Sequence, residues 1–283
     1  MKRQRLNLVL LAAALGLGLA VYFAQQGEPP GPPLTAYKPD AVTRIALEHP
    51  GAPAIRLEKQ GGAWQLSAPI IAEADPFEVN ALLGLADRET KLKLEGATLK
   101  ELELDPPQFT LTLNDAAIGF GATEPIEYRR YVKTADGAFL VEDPPGAALD
   151  KDYADLVAKD LFPAGAEIER IEVPGLTLAR GADGNWALVP ANPKVSADAM
   201  QKMADGWKGA RSMWNELARE ATVKGDKVRV TLKGGVAREF TVAAREPQLK
   251  LHRADLGVNL VLSKALADEL LKLPEGKQEE KKP

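Results

Sequence analysis

The sequence predicts an α+β protein: two tandem copies of a mainly antiparallel β-meander plus helices unit, preceded by one transmembrane helix. Three observations predict it. The phrase GGAWQLSAP around Trp64 has a counterpart, DGNWALVP, around Trp186. Runs of alternating apolar and polar residues joined by tight turns indicate antiparallel strands. A long apolar run close to the N-terminus follows three basic residues, which is typical of a membrane anchor.

Composition restricts the chemistry that the chain could support. The 283 residues include no cysteine, which excludes disulfides, thiolate metal sites and a cysteine nucleophile. The net charge of −4 argues against a nucleic-acid-binding protein, since no basic excess is available to displace counterions from phosphates. We therefore expect no cofactor and no nucleic-acid partner.

Residues 1–26 are predicted to form the transmembrane anchor. Lys2, Arg3 and Arg5 precede the apolar run Leu6–Phe23, which would span roughly 27 Å as a helix. The positive-inside rule then places the N-terminus in the cytoplasm and the bulk in the periplasm, on a single-pass inner-membrane protein. A cleaved signal peptide is the alternative, because 18–20 (Gly-Leu-Ala) is an acceptable small-x-small cleavage site.

Two segments without a hydrophobic pattern flank the predicted globular part. Residues 27–40 form a proline-rich linker, which favours an extended polyproline conformation. Residues 274–283, PEGKQEEKKP, are charged and lack apolar residues, so we expect a disordered tail.

The globular part divides into α+β repeat unit A, residues 41–163, and repeat unit B, residues 164–273. Each unit is predicted to contain three strands, a helix, about four strands and a closing helix. Asp75 and Ser196 are the candidate N-caps of the first helix in each unit, with Glu78 completing a capping box after Asp75. In unit B the apolar residues continue at helical spacing from Met200 to Leu217. The closing helices are expected over residues 150–161 and 263–273.

Trp64 and Trp186 begin the third strand of their units. A tryptophan buries on the order of 150–250 Å². We therefore predict that both are structural repeat anchors, and that each packs the β-meander of its unit against the helix.

The order of motifs resembles that of a bacterial domain-of-unknown-function family, number 4340. The resemblance rests on G-x-W-x-L-x-x-P at 62–69, on LELDPP followed by alternating leucines at 102–113, on IGFG at 118–121 and on RYV at 130–132. It covers roughly residues 40–270. Proteins of this family are found beside ABC-type transport systems of the gliding-motility kind, and the family has no assigned catalytic residues to carry over.

Candidate chemical sites are sparse in this sequence. His49 lies in a predicted turn and His252 in a predicted strand. Neither has partners at the spacing of a zinc site or a catalytic triad. Two carboxylate pairs, 73 with 75 and 152 with 155, could serve acid–base hydrolysis. A helix cap better explains Asp75, and the polar face of a helix better explains Asp152 and Asp155. Gly119 and Gly121 indicate a strand bend or bulge rather than a phosphate loop. The residues Tyr128, Arg129, Arg130 and Tyr131 form a possible binding strip on a strand, or else a solvated strand face.

Three functions follow from these observations. The first is a non-enzymatic accessory or scaffold protein that docks to envelope proteins, with the link to an ABC-type transporter implied by the resemblance alone. The second is a peptide- or glycan-binding module whose ligand sits between the two units. The third is an envelope hydrolase, which requires two carboxylates, or a histidine with a nucleophile, to converge in a pocket.

Overall fold

Two antiparallel sheets of eight strands each dominate the computed structural model, which describes residues 11, 13–22, 31–142, 149–220 and 223–273. The first sheet contains β1 (Arg44–Glu48), β2 (Ile55–Gln60), β3 (Ala63–Ala68), β4 (Ala72–Glu73), β5 (Phe109–Leu113), β6 (Ala116–Thr123), β7 (Arg130–Thr134) and β8 (Gly137–Val141). The second contains β9 (Ile168–Val173), β10 (Leu176–Arg180), β11 (Trp186–Leu188), β12 (Trp214–Leu217), β13 (Asp226–Leu232), β14 (Ala237–Ala244), β15 (Leu249–Arg253) and β16 (Val258–Leu262).

Helices contribute little to the described chain. The first, α1, is described at residues 11 and 13–22. The others are a 3-10 turn (Pro39–Ala41), α2 (Pro76–Leu83), α3 (Tyr153–Leu156), α4 (Ala197–Gly209) and α5 (Ala265–Leu271). The Ser196 hydroxyl accepts the N–H of Ala199 at 3.2 Å, which confirms the predicted cap of α4.

The two sheets share a strand order. The first runs β4-β3-β2-β1-β5-β6-β7-β8 and the second β11-β10-β9-β13-β14-β15-β16-β12. In each sheet, three strands lie side by side in the reverse of their chain order, β3-β2-β1 and β11-β10-β9. Four later strands follow in chain order, β5 to β8 and β13 to β16. They differ at their ends, because the extra short strand lies beside β3 in the first sheet and beside β16 in the second.

The chain divides into two compact units, Met1–Val42 with Leu83–Gly146, and Thr43–Leu82 with Ala147–Pro283. The first unit contains β5–β8, whose alternating residues give a buried face that includes Leu111 and Phe120. The second contains β1–β4 and the whole of the second sheet. The predicted repeat boundaries at 41–163 and 164–273 stay a prediction.

The second unit has an aromatic core beneath α4. Trp207 is fully buried, its ring lies 5.8 Å from that of Phe240, and Phe162 meets Phe240 edge-on at 6.2 Å. The Trp207 Nε1–H donates to the Leu270 carbonyl at 2.9 Å, which ties α4 to α5. The helical spacing of Met203 and Trp207 directs both side chains toward this core.

The predicted α+β class is wrong, because the protein is mostly β. The closing helix expected over 150–161 is reduced to α3, since Val157 forms a β-bridge with Ala74. The helix expected to reach Leu217 ends at Gly209, because Ala210 is extended and the next apolar residues form β12. Apolar spacing alone did not reveal that these segments hydrogen-bond to strands.

The capping box predicted for α2 is half formed. Asp75 Oδ1 accepts the N–H groups of Phe77 and Glu78, at 3.0 and 3.3 Å, as a cap should. However, the Asp75 N–H donates to the Leu156 carbonyl at 2.8 Å and is unavailable to Glu78. The Glu78 carboxylate instead lies 2.8 Å from Lys159 Nζ and 3.3 Å from Lys151 Nζ.

The strand bulge predicted at Gly119–Gly121 is confirmed, since the β6–β7 register shifts after Phe120. A Cβ on Gly121 would lie 2.2 Å from the Leu102 carbonyl oxygen, so only glycine fits this close approach.

The predicted transmembrane anchor at residues 1–26 is contradicted, and with it the inner-membrane location. A membrane-spanning helix needs about 20 consecutive apolar residues. Among the residues that the structure describes, no helix is long and apolar enough to cross a membrane. Residues 1–10, 12 and 23–26 of the predicted anchor lie outside the described residues, as do residues 27–30 of the linker and the tail at 274–283. In the rest of the linker, Leu34 and Thr35 are buried, and the Thr35 hydroxyl donates to the Ala86 carbonyl at 2.8 Å.

Candidate functional site

A row of five polar side chains crosses the second sheet in register. Lys227 pairs with Thr241, Thr241 with His252, His252 with Asn259, and Asn259 with Glu216. Because residues paired across strands share a face, all five project from the same side of the sheet. The alternate residues, such as Val228 and Leu260, fill the core on the other side. We call these five residues the polar row.

Hydrogen bonds connect the row into two groups. Lys227 Nζ donates to Thr241 Oγ1 at 2.7 Å. On the other side, His252 Nδ1 lies 3.0 Å from Asn259 Oδ1, and Asn259 Nδ2 lies 3.5 Å from Glu216 Oε1. Lys250, two residues before His252 and therefore on the same face, donates to the same Glu216 oxygen at 2.7 Å.

His252 is the buried centre of the row, with 2% of its surface exposed. Because Asn259 offers its amide oxygen, the histidine Nδ1 must carry the proton and donate it. The other ring nitrogen, Nε2, is buried and has no hydrogen-bond partner among the described residues. A buried polar atom without a hydrogen-bond partner lowers the free energy of unfolding. The position of His252 Nε2 is therefore not explained by stability.

A cavity of about 660 Å³ opens beside the row. Its floor is formed by Glu216, Lys250, Asn259 and the small Ala243, and its rim by Leu217, Arg219, Glu220 and Val223. The Lys250 and Glu216 side chains are 31% and 36% exposed, so both remain within reach of a bound molecule. Two acidic and two basic side chains line the cavity, which suits an uncharged polar ligand.

Trp214 lies at the edge of this face. It is two residues before Glu216 on β12 and therefore projects from the same side, with 42% of its surface exposed. A solvent-exposed indole beside hydrogen-bonding side chains forms a stacking platform. The sequence pattern had assigned Trp214 to a buried helical stripe, which the structure contradicts.

The predicted binding strip at 128–131 does not form one surface. Tyr128 is exposed in a loop with φ +56°, and Arg129 pairs with Glu127. Arg130 lies over the Phe109 ring at 5.7 Å and donates to the Gly121 carbonyl at 2.9 Å. Tyr131 follows Arg130 on β7 and so projects from the opposite face.

Trp64 and Trp186 lie at the same point of their sheets. Trp64 is the second residue of the third strand, opposite Lys59, and Trp186 is the first residue of its third strand, opposite Arg180. Both are half-buried rather than enclosed. Their role as repeat anchors stays a prediction.

The remaining candidate groups have structural partners. His49 Nε2 lies 2.9 Å from the Leu149 carbonyl oxygen. Asp152 and Asp155 form the capping box of α3, and burial raises the pKa of Asp155. Within the described part of the chain, no three His, Asp or Glu residues are grouped to hold a metal ion.

Sequence reasoning missed most of the polar row. It placed His252 in a strand, which is confirmed, but gave it no partner. A signal was present, because the hairpin at 249–262 turns at 254–257, and residues equally spaced from that turn, His252 and Asn259, must face each other.

A family model matches more than half of the chain. The model of a family described as "Domain of unknown function (DUF4340)" matches residues 64–231. That range includes Glu216 and Lys227 but ends before the other three residues of the row. No curated protein and no solved structure matches the chain.

Proposed function

We propose that this chain, which belongs to the DUF4340 family as its motifs predicted, is a non-enzymatic binding module for an uncharged polar ligand, most simply a glycan. The ligand lies in the cavity beside the polar row. The single observation that supports this proposal is the register-aligned row ending in Asn259 and Glu216 on the floor of a 660 Å³ cavity.

The cavity offers both hydrogen-bond donors and hydrogen-bond acceptors, which supports a glycan as the ligand. Sugar hydroxyls donate and accept, and the floor offers an amide from Asn259, an acceptor from Glu216 and a donor from Lys250. Lys250 and Glu216 already pair with each other at 2.7 Å, so a neutral ligand that binds beside the pair leaves no unpaired charge.

Trp214 favours a glycan over a peptide. The C–H face of a sugar ring stacks on an indole, while its hydroxyls reach polar neighbours. Trp214 and Glu216 supply these two elements on one face of one strand.

Calorimetric titration of the full chain with chitotriose tests the proposal. Saturable binding is expected, and Lys250→Met and Trp214→Ala should each weaken it about tenfold, which corresponds to about 1.4 kcal/mol. Lys233→Met is the matched control, because Lys233 forms a comparable 2.9 Å pair with Glu167 away from the cavity.

Two results would count against glycan binding. The first is the absence of any heat of binding with chitotriose. The second is equal binding by Lys250→Met, Trp214→Ala and Lys233→Met. Release of shorter sugars during the titration would instead favour a hydrolase.

The accessory role is a second proposal, supported by the family membership over residues 64–231. It predicts that a tagged full-length chain, purified from its native cells, brings down a subunit of an ABC-type transporter. Failure to recover any such subunit under conditions that preserve a known transporter complex would contradict the accessory role and leave the glycan proposal unaffected.

A further inference from the structure

The short strand β11 is an open sheet edge. Among the residues that the structure describes, β10 is its one partner strand. The Gly181 N–H bonds to Asn185 O and the Val189 N–H to Thr177 O, at 2.8 and 2.9 Å. Because antiparallel pairs alternate between bonded and non-bonded, the backbone groups of Trp186 and Leu188 point away from β10.

Other sheet edges in the described chain carry an additional segment. β8 takes the segment at 91–94, since Lys91 N–H donates to Leu140 O at 2.7 Å. β4 takes the segment at 157–158, since the Ala158 N–H donates to the Glu73 carbonyl at 2.8 Å. For Trp186 and Leu188, the described residues provide no such backbone partner. An unpaired edge is a template for another strand.

The corresponding strand of the first sheet shows what fits beside this edge. β4 pairs with β3 there, with Glu73 opposite Gln65 and Ala72 opposite Leu66. The Ala74 N–H completes the pairing by donating to the Trp64 carbonyl at 3.0 Å. Trp64 in β3 and Trp186 in β11 lie in the third strand of their respective meanders, so the Trp186 carbonyl is the equivalent acceptor.

The burial of side chains also differs between β3, which has β4 beside it, and β11. Leu66, which is paired with β4, is completely buried. Leu188, two residues after its tryptophan like Leu66, is half-exposed, and the next residue, Val189, is 49% exposed. Helix α4 contacts both β9 and β11, so it crosses the face of the sheet.

We propose that β11 binds an extended segment of a partner protein by antiparallel strand addition. The segment carries small apolar residues facing Trp186 and Leu188, as Ala72 faces Leu66 in the first sheet. Main-chain hydrogen bonds to Trp186 and Leu188 provide the affinity, and the half-exposed apolar side chains select the residues opposite them.

The experiment uses the ¹⁵N-labelled full chain and a capped peptide, IIAEAD, which copies residues 70–75 of this chain. The amides of Trp186 and Leu188 should shift and become protected from exchange. Leu188→Pro should weaken peptide binding about tenfold or more. Proline removes only an outward N–H there, and edge strands tolerate it, so the sheet should be retained.

Asn80→Ala, at an exposed position on α2, is the control, and it should bind the peptide like the wild type. Absence of amide shifts at millimolar peptide overturns the proposal, as does equal binding by Leu188→Pro. So does protection of these amides in the free chain through a dimer detected by sedimentation. None of these results bears on chitotriose binding, so the two proposals fail separately.

Discussion

His252 Nδ1 lies 3.0 Å from Asn259 Oδ1 across the hairpin formed by β15 and β16. This contact fixes the Asn259 amide, so that Nδ2 points toward Glu216. A buried histidine therefore sets the orientation of a cavity-floor side chain without lining the cavity itself.

Asn259→Ala should destabilise the fold and remove ligand binding together. The substitution leaves both ring nitrogens of buried His252 without a partner, which costs about 1–3 kcal/mol of unfolding free energy. Urea denaturation measures this loss. Asn80, exposed on α2, provides the matched control, and Asn80→Ala should change the free energy by about 0.5 kcal/mol or less. Equal effects at both positions would refute the structural role of Asn259.

Replacement by alanine should lower the free energy of unfolding more at Trp207 than at Trp214. Trp207→Ala removes a fully buried ring and its hydrogen bond to Leu270, at a cost of about 3–5 kcal/mol. Trp214→Ala removes a partly exposed ring and should cost about 1 kcal/mol or less. Thermal unfolding compares them directly, and a Trp214 variant as unstable as the Trp207 variant would show that its ring is part of the core.

Asp255 should make folding stability depend on pH in the acid range. Hydrogen bonds from the Arg253 guanidinium, at 2.8 and 2.6 Å, lower the pKa of the Asp255 carboxyl. A carboxylate with a lowered folded-state pKa contributes stability above the unfolded value, near 3.9, and loses it as the pH falls through the folded value. The difference in unfolding free energy between the wild type and Asp255→Asn should therefore shrink as pH falls below about 4. A difference that stays constant or grows would contradict this assignment.

Lys151 and Lys159 should stabilise the fold jointly, because both pair with the Glu78 carboxylate. Its carboxylate is nearly buried between Lys151 and Lys159, so removal of both cations leaves an unpaired buried charge. The double change to methionine should cost about 3–5 kcal/mol, more than the sum of the single changes. Glu78→Gln in that background should restore part of the loss.

The exposed pair between Lys38 and Asp87 serves as the control for Glu78. Lys38→Met should cost about 1 kcal/mol or less. Strictly additive single and double effects in urea denaturation would mean that the two lysines do not share one carboxylate.

Much of the strand pattern was predictable, because alternation and tight turns are local. The start of β11 at Trp186 and the cap at Ser196 both follow from neighbouring residues. The end of α4 was missed because Trp214 and Leu217 continue its apolar spacing, although the chain between 210 and 217 bonds to other strands. Local periodicity carries no information about such partners.

The candidate site was missed for the same physical reason. His252 and Asn259 share a hairpin, but Glu216 is brought beside Asn259 only by the long connection from β12 to β16. Sequence reasoning instead favoured Tyr128–Tyr131, where polar and aromatic residues are adjacent. Adjacent residues on a strand project from opposite faces, so that cluster is divided by the sheet.

The most direct test of the account is an NMR titration of the full chain with chitotriose, observing the Asn259 side-chain amide and the Trp214 indole N–H. The account predicts that both signals shift together and saturate, and that Lys250→Met weakens the response while Lys233→Met does not. If both signals stay fixed at millimolar chitotriose, or if they shift equally in the two lysine variants, the polar row is not a glycan site.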